Sequence, residues 1–96
     1  MLITKGVAVG EVVTIKLYSG EELVGKLSEE NDTYYVISKP MVLSMTPQGI
    51  GMMPYLITVE PDKDVPIKKT GVSVILESAR EFANQYVQGT TGIALR

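Results

Sequence analysis

The fold of this chain is decided by one stretch of its sequence, VTIKLYSGEELVGKL at residues 13–27. Its first half alternates apolar and polar side chains, which places Val13, Ile15 and Leu17 on one side of an extended chain. This period of two is typical of a strand that buries one face. The serine-glycine pair that follows predicts a turn, and Gly25 inside the next apolar run predicts a bend or a close backbone approach. The stretch therefore predicts two antiparallel strands, the second of them bent.

Short apolar runs separated by glycine, proline and polar clusters continue along the chain, and this pattern predicts strands and turns. We expect five strands, at residues 11–18, 21–29, 34–45, 52–60 and 67–76. Pro40 interrupts the third run, and a proline is tolerated there only at an edge or a bulge. The segments at residues 46–51 and 61–66 are predicted to be loops.

The spacing of apolar residues then changes to three and four, at Ala79, Phe82, Ala83, Tyr86 and Val87. This period predicts an amphipathic helix at about residues 76–88, with its apolar face against the sheet or a neighbouring subunit. Ser78 and Glu81 have the spacing of a capping box, and Gly89 is typical of the position just after a helix. Residues 90–96 are expected to form a flexible tail.

The composition describes one domain, residues 1–96, with 45% hydrophobic and 21% charged residues. The chain has no cysteine and no histidine, which excludes thiol nucleophiles, Ser-His pairs and cysteine-bound zinc. We therefore expect that the protein is not an enzyme and that it binds neither a metal ion nor a cofactor. The net charge of −2 argues against nucleic-acid binding through bulk charge. It leaves a local basic cluster possible, because screening limits each charge to about 8 Å at physiological salt.

The sequence also bears on location and association. No apolar run approaches the roughly 20 residues that span a bilayer, and the first residues lack the pattern of a secretory signal. We expect no membrane partner and a cytoplasmic location. The apolar, proline-free stretch at residues 55–59 is predicted to be an edge strand that pairs with a second copy. The predicted contacts between copies are Tyr55, Ile57, Val59, Ile67, Val72 and Val74.

Taken together, these elements predict an all-β fold with one helix. The strands should form a small, strongly bent, five-stranded antiparallel barrel at about residues 11–76, followed by the C-terminal amphipathic helix. A generic small β-barrel and a barrel of a particular family both agree with this pattern.

The stretch at residues 13–27 resembles the first signature motif of the Sm and Sm-like family. That motif has apolar residues or leucine at Ile15, Leu17, Leu23 and Leu27, and glycine at Gly20 and Gly25. The segment IKKTGVSV at residues 67–74 is similar to the second motif in its bacterial Hfq-like form. The family has a helix before the first strand, whereas the predicted helix here lies at the other end. The resemblance implies an Sm-like barrel that assembles into a closed ring of about five to seven copies and binds single-stranded RNA, U- or A-rich, without catalysis.

The resemblance also implies an RNA-binding set, namely Asp32, Tyr34, Tyr35, Lys68 and Lys69. Counted from Gly25 without gaps, the aspartate, aromatic and asparagine positions of the family fall on Asn31, Thr33 and Tyr35. With one extra loop residue, Asp32 and Tyr34 take the first two positions and Val36 the third. Neither alignment places an asparagine at the position that reads uracil, and Lys68-Lys69 stands where the eukaryotic family has Arg-Gly.

The residues themselves leave two interpretations of this set open. Tyr34 and Tyr35 are adjacent in a strand and point to opposite faces, so one can pack in the core while the other stacks on a base. Lys68-Lys69 is the one adjacent basic pair in the chain, and a ring would repeat it around its axis. The same residues could instead be ordinary strand tyrosines and solvated charges. The alternative function is a structural or protein-interaction ring that has lost nucleotide recognition.

Overall fold

A computed structural model describes residues 6–94 of the chain, which form an antiparallel sheet followed by one helix. The strands are β1 (Val12–Leu17), β2 (Glu22–Glu30), β3 (Tyr34–Thr46), β4 (Gly49–Pro54), β5 (Asp64–Lys68) and β6 (Val72–Glu77). A short 3-10 turn, Lys69–Gly71, separates β5 from β6, and the helix α1 is Arg80–Ala94. The expectation of a β fold with one C-terminal helix is confirmed.

The strand β3 organises the sheet. It pairs with β2 along one side, while on the other side its first half pairs with β5 and its second half with β4. The strand order is β4-β3-β2-β1-β6, and every pair is antiparallel. Within residues 6–94 the outer edges of β6, β4 and β5 pair with no further strand. The sheet is therefore open, and a closed barrel is not confirmed.

The first hairpin matches its prediction because its pattern is local. Val13, Ile15 and Leu17 on β1 are all buried, and Gly20 occupies the turn with a φ of 112° that suits glycine. With Leu23, Leu27, Ile37 and Ile67 these side chains form the main core. Val24 points to the opposite face of β2, where it packs with Met41 and with Tyr86 of the helix. The bent sheet thus has a large core on one face and a small one under α1.

The predicted bend in the second strand is a bulge opposite Gly25. Val24 pairs with Met41 and Lys26 with Ser38. Two residues of β3, Lys39 and Pro40, therefore lie opposite the single residue Gly25 of β2, which is a β-bulge with one extra residue. Pro40 therefore lies at a bulge, as the sequence predicts for a proline inside a strand. Lys39 has a φ of 49°, a left-handed conformation that is uncommon for a residue with a side chain.

The fourth and fifth predicted strands are wrong in their bounds. β4 begins at Gly49, directly after a tight turn in which the hydroxyl of Thr46 donates to the carbonyl of Gly49 at 2.8 Å. After Pro54 the chain leaves the sheet, and residues 55–63 form no strand. Tyr55 instead donates its N–H to the carbonyl of Pro40 at 3.0 Å and packs against the main core. The 3-10 turn divides the predicted strand at residues 67–76 into the end of β5 and β6.

The helix is longer than its sequence pattern predicts, and it buries a narrower face. Tyr86 and Thr90 are buried, and Phe82 is half-buried, whereas Ala79 and Val87 are exposed. The helix continues past Gly89, and Thr90 is buried, with its hydroxyl donating to the carbonyl of Tyr86 one turn earlier at 2.8 Å. Residues 90–94 are thus helical rather than a tail, and residues 95–96 lie outside the described part of the chain.

The start of the helix also differs from its prediction. Ser78 does not form a capping box with Glu81. Its hydroxyl lies 2.7 Å from the hydroxyl of Thr14 on β1, and its N–H donates to the carbonyl of Val12 at 3.0 Å. These bonds continue the pairing of β1 with β6 by one residue and fix the point from which α1 starts.

Candidate nucleic-acid interface

The five residues predicted to bind RNA meet at one end of the sheet. Asp32 lies in the turn between β2 and β3, Tyr34 and Tyr35 open β3, Lys68 ends β5, and Lys69 opens the 3-10 turn. The antiparallel pairing of β3 with β5 sets Tyr34 directly opposite Lys68. The N–H of Lys69 donates to the carbonyl of Thr33 at 2.9 Å, which ties the two segments together beyond the ladder. A set defined by two distant stretches of sequence is therefore one cluster in space.

The turn that carries Asp32 is built by Asn31. Its side-chain oxygen accepts the N–H groups of Thr33 at 2.9 Å and Tyr34 at 2.8 Å, and its own N–H donates to the carbonyl of Tyr34 at 3.0 Å. An asparagine that bonds the backbone two residues ahead is a common way to stabilise a turn. The amide oxygen of Asn31 is thus used to shape the loop. Asp32 itself is exposed.

The two tyrosines lie on opposite faces of β3, as the period of two predicts. Tyr35 is opposite the buried Ile67 and packs against the main core. Tyr34 shares the other face with Lys68, because residues directly opposite each other on antiparallel strands project to the same side. Tyr34 is half-buried and Lys68 is exposed. This cross-strand pair combines an aromatic ring with a cation on a solvent-facing surface.

Lys69 has a different environment. Its ammonium nitrogen lies 2.7 Å from Glu30 Oε2 and 4.9 Å from the centre of the Tyr35 ring. Glu30 is opposite Tyr35 in the ladder between β2 and β3 and so lies on the same face. The hydrogen bond to Glu30 raises the pKa of Lys69, and the charges of Glu30, Tyr35 and Asp32 act in the same direction. The lysine is therefore fully charged at neutral pH, but a carboxylate already neutralises it.

The cluster thus contains two pairs of a tyrosine and a lysine, Tyr34 with Lys68 and Tyr35 with Lys69, and a ligand cannot reach them equally well. Lys69 covers one face of the Tyr35 ring, and the ring also packs against the core, so little of it is left for a base. Tyr34 with Lys68 is the pair that a ligand can reach directly.

The five residues that the sequence predicts for one site do lie in one region. The predicted set left out Glu30, and the ungapped alignment named Asn31 as a nucleotide-binding position, whereas the structure uses its side chain to form the turn. In the sequence Glu30 is only one of two adjacent glutamates, Glu29 and Glu30. Its contact with Lys69 depends on the register of β2, β3 and β5, which no local pattern indicates.

A groove extends from this cluster along the gap between β5 and the β1–β2 turn. It has a volume of about 490 Å³. Its lining includes Tyr18, Ser19, Tyr55, Pro66 and Lys68. Tyr18 is 74% exposed at the turn after β1. The groove therefore places the aromatic side chains of Tyr18 and Tyr55 on the same surface as Lys68.

The residues predicted to join neighbouring copies do not form one surface. Ile67 is buried in the main core, and Tyr55 also packs against it. Ile57 and Val59 are exposed, but they lie on the irregular segment at residues 55–63 rather than on an edge strand. Val72 and Val74 lie on β6, where Val74 and Leu76 are exposed next to its outer edge. Of the predicted set, Val72 and Val74 on β6 and the buried Ile67 on β5 lie on strands whose outer edges are unpaired within residues 6–94, whereas Tyr55, Ile57 and Val59 lie on no strand.

Comparison with protein-family models and with curated proteins gives no match for this sequence. Across residues 6–94, no helix is both long and apolar enough to cross a membrane. In the same part of the chain, no three carboxylates are grouped so that they could hold a metal ion.

Proposed function

We propose that this protein is an Sm-like, ring-forming protein that binds single-stranded RNA, U- or A-rich, without catalysis. The observation that supports this proposal best is the cross-strand pair of Tyr34 and Lys68, which the fold brings beside Asp32 and Lys69. An aromatic platform next to a lysine is the combination that single-strand binding uses, because the ring stacks on a base while the cation meets a phosphate. Within the cluster the carboxylates of Glu30 and Asp32 balance the charges of Lys68 and Lys69, so the net charge of −2 lies on the rest of the chain.

Assembly is the second part of the proposal. The outer edges of β6 and of β4 and β5 carry backbone N–H and C=O groups that an added strand could pair. A head-to-tail contact in which β6 of one copy pairs with β4 and β5 of the next would close into a ring by rotation. It would also complete the barrel that remains open within one chain. Each copy would then place its Tyr34–Lys68 pair at an equivalent position around the ring.

A structural or protein-interaction ring without nucleotide recognition remains the alternative. The ion pair between Lys69 and Glu30 favours it, because one of the two lysines predicted to meet phosphate already has an anionic partner. The two functions predict the same assembly and differ in RNA affinity, so a binding measurement separates them.

The RNA proposal predicts separable effects of the two side chains. Lys68→Ala should weaken binding and reduce the salt dependence, by a log-log slope of about 0.7 for each phosphate that the lysine no longer neutralises. Tyr34→Ala should weaken binding with little change in that slope, since stacking contributes about 1–3 kcal/mol per base without counterion release. Fluorescence anisotropy of labelled oligouridylate and oligoadenylate at several salt concentrations measures both quantities.

Lys63→Ala is the matched control for charge. Lys63 is exposed on the segment at residues 55–63, outside the cluster, and its loss should leave the slope at the wild-type value. The proposal fails if the wild-type protein binds neither oligonucleotide at low salt, or if Lys68→Ala and Tyr34→Ala bind like the wild type. In that case the protein-interaction ring becomes the better description.

The assembly proposal predicts a difference between two exposed apolar surfaces. Placing lysine at both Val74 and Leu76 should yield monomers, because charges beside an edge strand oppose strand pairing. Ile57→Lys introduces the same kind of change at a side chain that is 77% exposed but lies outside every strand, and should leave the oligomer intact. Light scattering distinguishes the two outcomes, and a stable wild-type monomer at micromolar concentration would refute assembly through these edges.

A further inference from the structure

The ammonium group of Lys69 already has an anionic partner within its own chain. Glu30 Oε2 lies 2.7 Å from Lys69 Nζ, which is the distance of a direct charge-assisted hydrogen bond. The Tyr35 ring lies on another side of the same nitrogen, with its centre 4.9 Å away. One of the three N–H donors of Lys69 is therefore already used by a carboxylate and another side of the ammonium faces the ring, so a phosphate that approached Lys69 would compete with Glu30 for its charge.

The arrangement is set by the fold rather than by a chance encounter of two long side chains. Glu30 is the last residue of β2 and is directly opposite Tyr35, while Lys69 is anchored through its N–H to the carbonyl of Thr33. The side chains of Lys69 and Glu30 are 30% and 37% exposed, so solvent and solutes can reach the pair. Since exposed ion pairs are weak, an external anion can compete for the lysine.

We propose that Glu30 is an affinity-determining residue, an intrachain competitor that occupies Lys69 in place of an RNA phosphate. This inference rests on the proposed RNA function. It divides the cluster into two parts with different requirements. Tyr34 and Lys68 take up a nucleotide directly, whereas Lys69 meets a phosphate only after the Glu30 carboxylate has been displaced. The wild-type protein then binds RNA more weakly, and neutralises one phosphate fewer per copy, than its lysines would allow.

Glu30→Gln tests this inference because it keeps the shape of the side chain and removes its charge. We expect the variant to bind labelled oligouridylate about two- to fivefold more tightly, the range that corresponds to the loss of an exposed ion pair. Its log-log salt slope should also become steeper by about 0.7 for each copy that contacts RNA, since one more phosphate is neutralised. Adding Lys69→Ala to this variant should abolish both gains.

Glu29→Gln is the matched control. Glu29 is the neighbouring residue on β2, is exposed, and projects to the opposite face; it forms no ion pair with any residue that the structure describes. Its replacement changes the net charge by the same amount but releases no lysine, so the salt slope should stay at the wild-type value. Thermal unfolding of each variant verifies that the fold is retained.

The possible results separate the inference from the function on which it rests. If the wild type binds and Glu30→Gln binds identically, the competitor role is wrong while the RNA function stands. An equal gain in both glutamine variants would also overturn the inference, because general charge would then explain it. Lys69→Ala in the wild-type background should weaken binding less than Lys68→Ala does, and a loss as large as that of Lys68→Ala would mean that Lys69 already contacts RNA. If neither the wild type nor Glu30→Gln binds at low salt, the proposed function fails and the inference fails with it.

Discussion

Gly25→Ala is expected to lower the free energy of unfolding by about 2–3 kcal/mol, the upper part of the range for overpacked interiors. A β-carbon at this position would overlap the Cγ2 methyl of Ile37, and it would lie 3.2 Å from the carbonyl oxygen of Ser38 and 3.4 Å from the Cα of Pro40. Ile37 is fully buried in the main core and cannot turn aside without displacing its neighbours. Two of the three obstacles are backbone atoms of the β3 bulge. Urea denaturation followed by circular dichroism measures the loss.

Gly89→Ala provides the control for this prediction. A β-carbon at Gly89 would meet no atom within 4 Å, and the residue lies inside α1. Alanine there should increase stability by about 0.5–1 kcal/mol through the lower conformational entropy of the unfolded chain and the better helix propensity. If Gly25→Ala proves as stable as the wild type, then β2 and β3 can separate at the bulge, and the steric explanation for glycine at this position is wrong.

The contrast between the first hairpin and the fourth strand shows what the sequence can predict. Val13, Ile15 and Leu17 indicate their strand by strict alternation, and the turn that follows needs a glycine at Gly20. This information is local, and it agrees with the tertiary structure. The apolar run at residues 55–59 looks equally like a strand, but β3 already pairs with β4 and β5 on that side. Which segments pair with β3 is decided by the tertiary structure, and a short stretch of sequence does not contain this information.

In the candidate site, too, some features follow from the local sequence pattern and others depend on the tertiary structure. The period of two predicts that Tyr34 and Tyr35 face opposite sides, but only the packing of Tyr35 against the core shows which of them remains available. The adjacent lysines predict a doubled positive charge, yet the structure gives Lys69 a carboxylate partner and leaves Lys68 exposed. Glu30 and Lys69 are separated by most of the sheet in sequence. Their contact depends on the combined register of β2, β3 and β5, which the sequence pattern does not reveal.

For the helix, the spacing of apolar residues predicts which face packs on the sheet, but not which residue of that face contributes most of the contact. The periodicity gives Ala79, Phe82, Tyr86 and Val87 equal weight. In the structure Tyr86 is 3% exposed, packs with Val24 and Met41, and donates its hydroxyl to the carbonyl of Ser38 at 2.6 Å. Its burial raises the pKa of Tyr86 to about 12, so the hydroxyl stays protonated and able to donate at neutral pH. One side chain therefore both fills the small core and bonds the bulge of β3.

Tyr86→Ala is accordingly expected to cost about 3–5 kcal/mol, as for other large aromatic side chains removed from a packed site. The variant removes the packing of the ring against Val24 and Met41, and it leaves the Ser38 carbonyl without its donor. Because α1 packs on the sheet mainly through this face, the helical signal in circular dichroism should fall at a lower temperature than the near-ultraviolet signal of the main core. The wild type should lose both signals together.

Three further variants compare the ring of Tyr86 with its hydroxyl group and with the neighbouring side chains of the helix. Tyr86→Phe keeps the ring and should cost about 1 kcal/mol for the missing hydrogen bond. Val87→Ala, at the next helical position, removes a side chain that is 50% exposed and should change stability by less than about 0.5 kcal/mol. Phe82→Ala should lie between these limits and Tyr86→Ala, since Phe82 is half-buried. Equal losses for Tyr86→Ala and Val87→Ala would mean that the helix is not held by this side chain. The bulge that Gly25 permits would then be stabilised without it, since the hydroxyl of Tyr86 and the close approach at Gly25 act on the same carbonyl of Ser38.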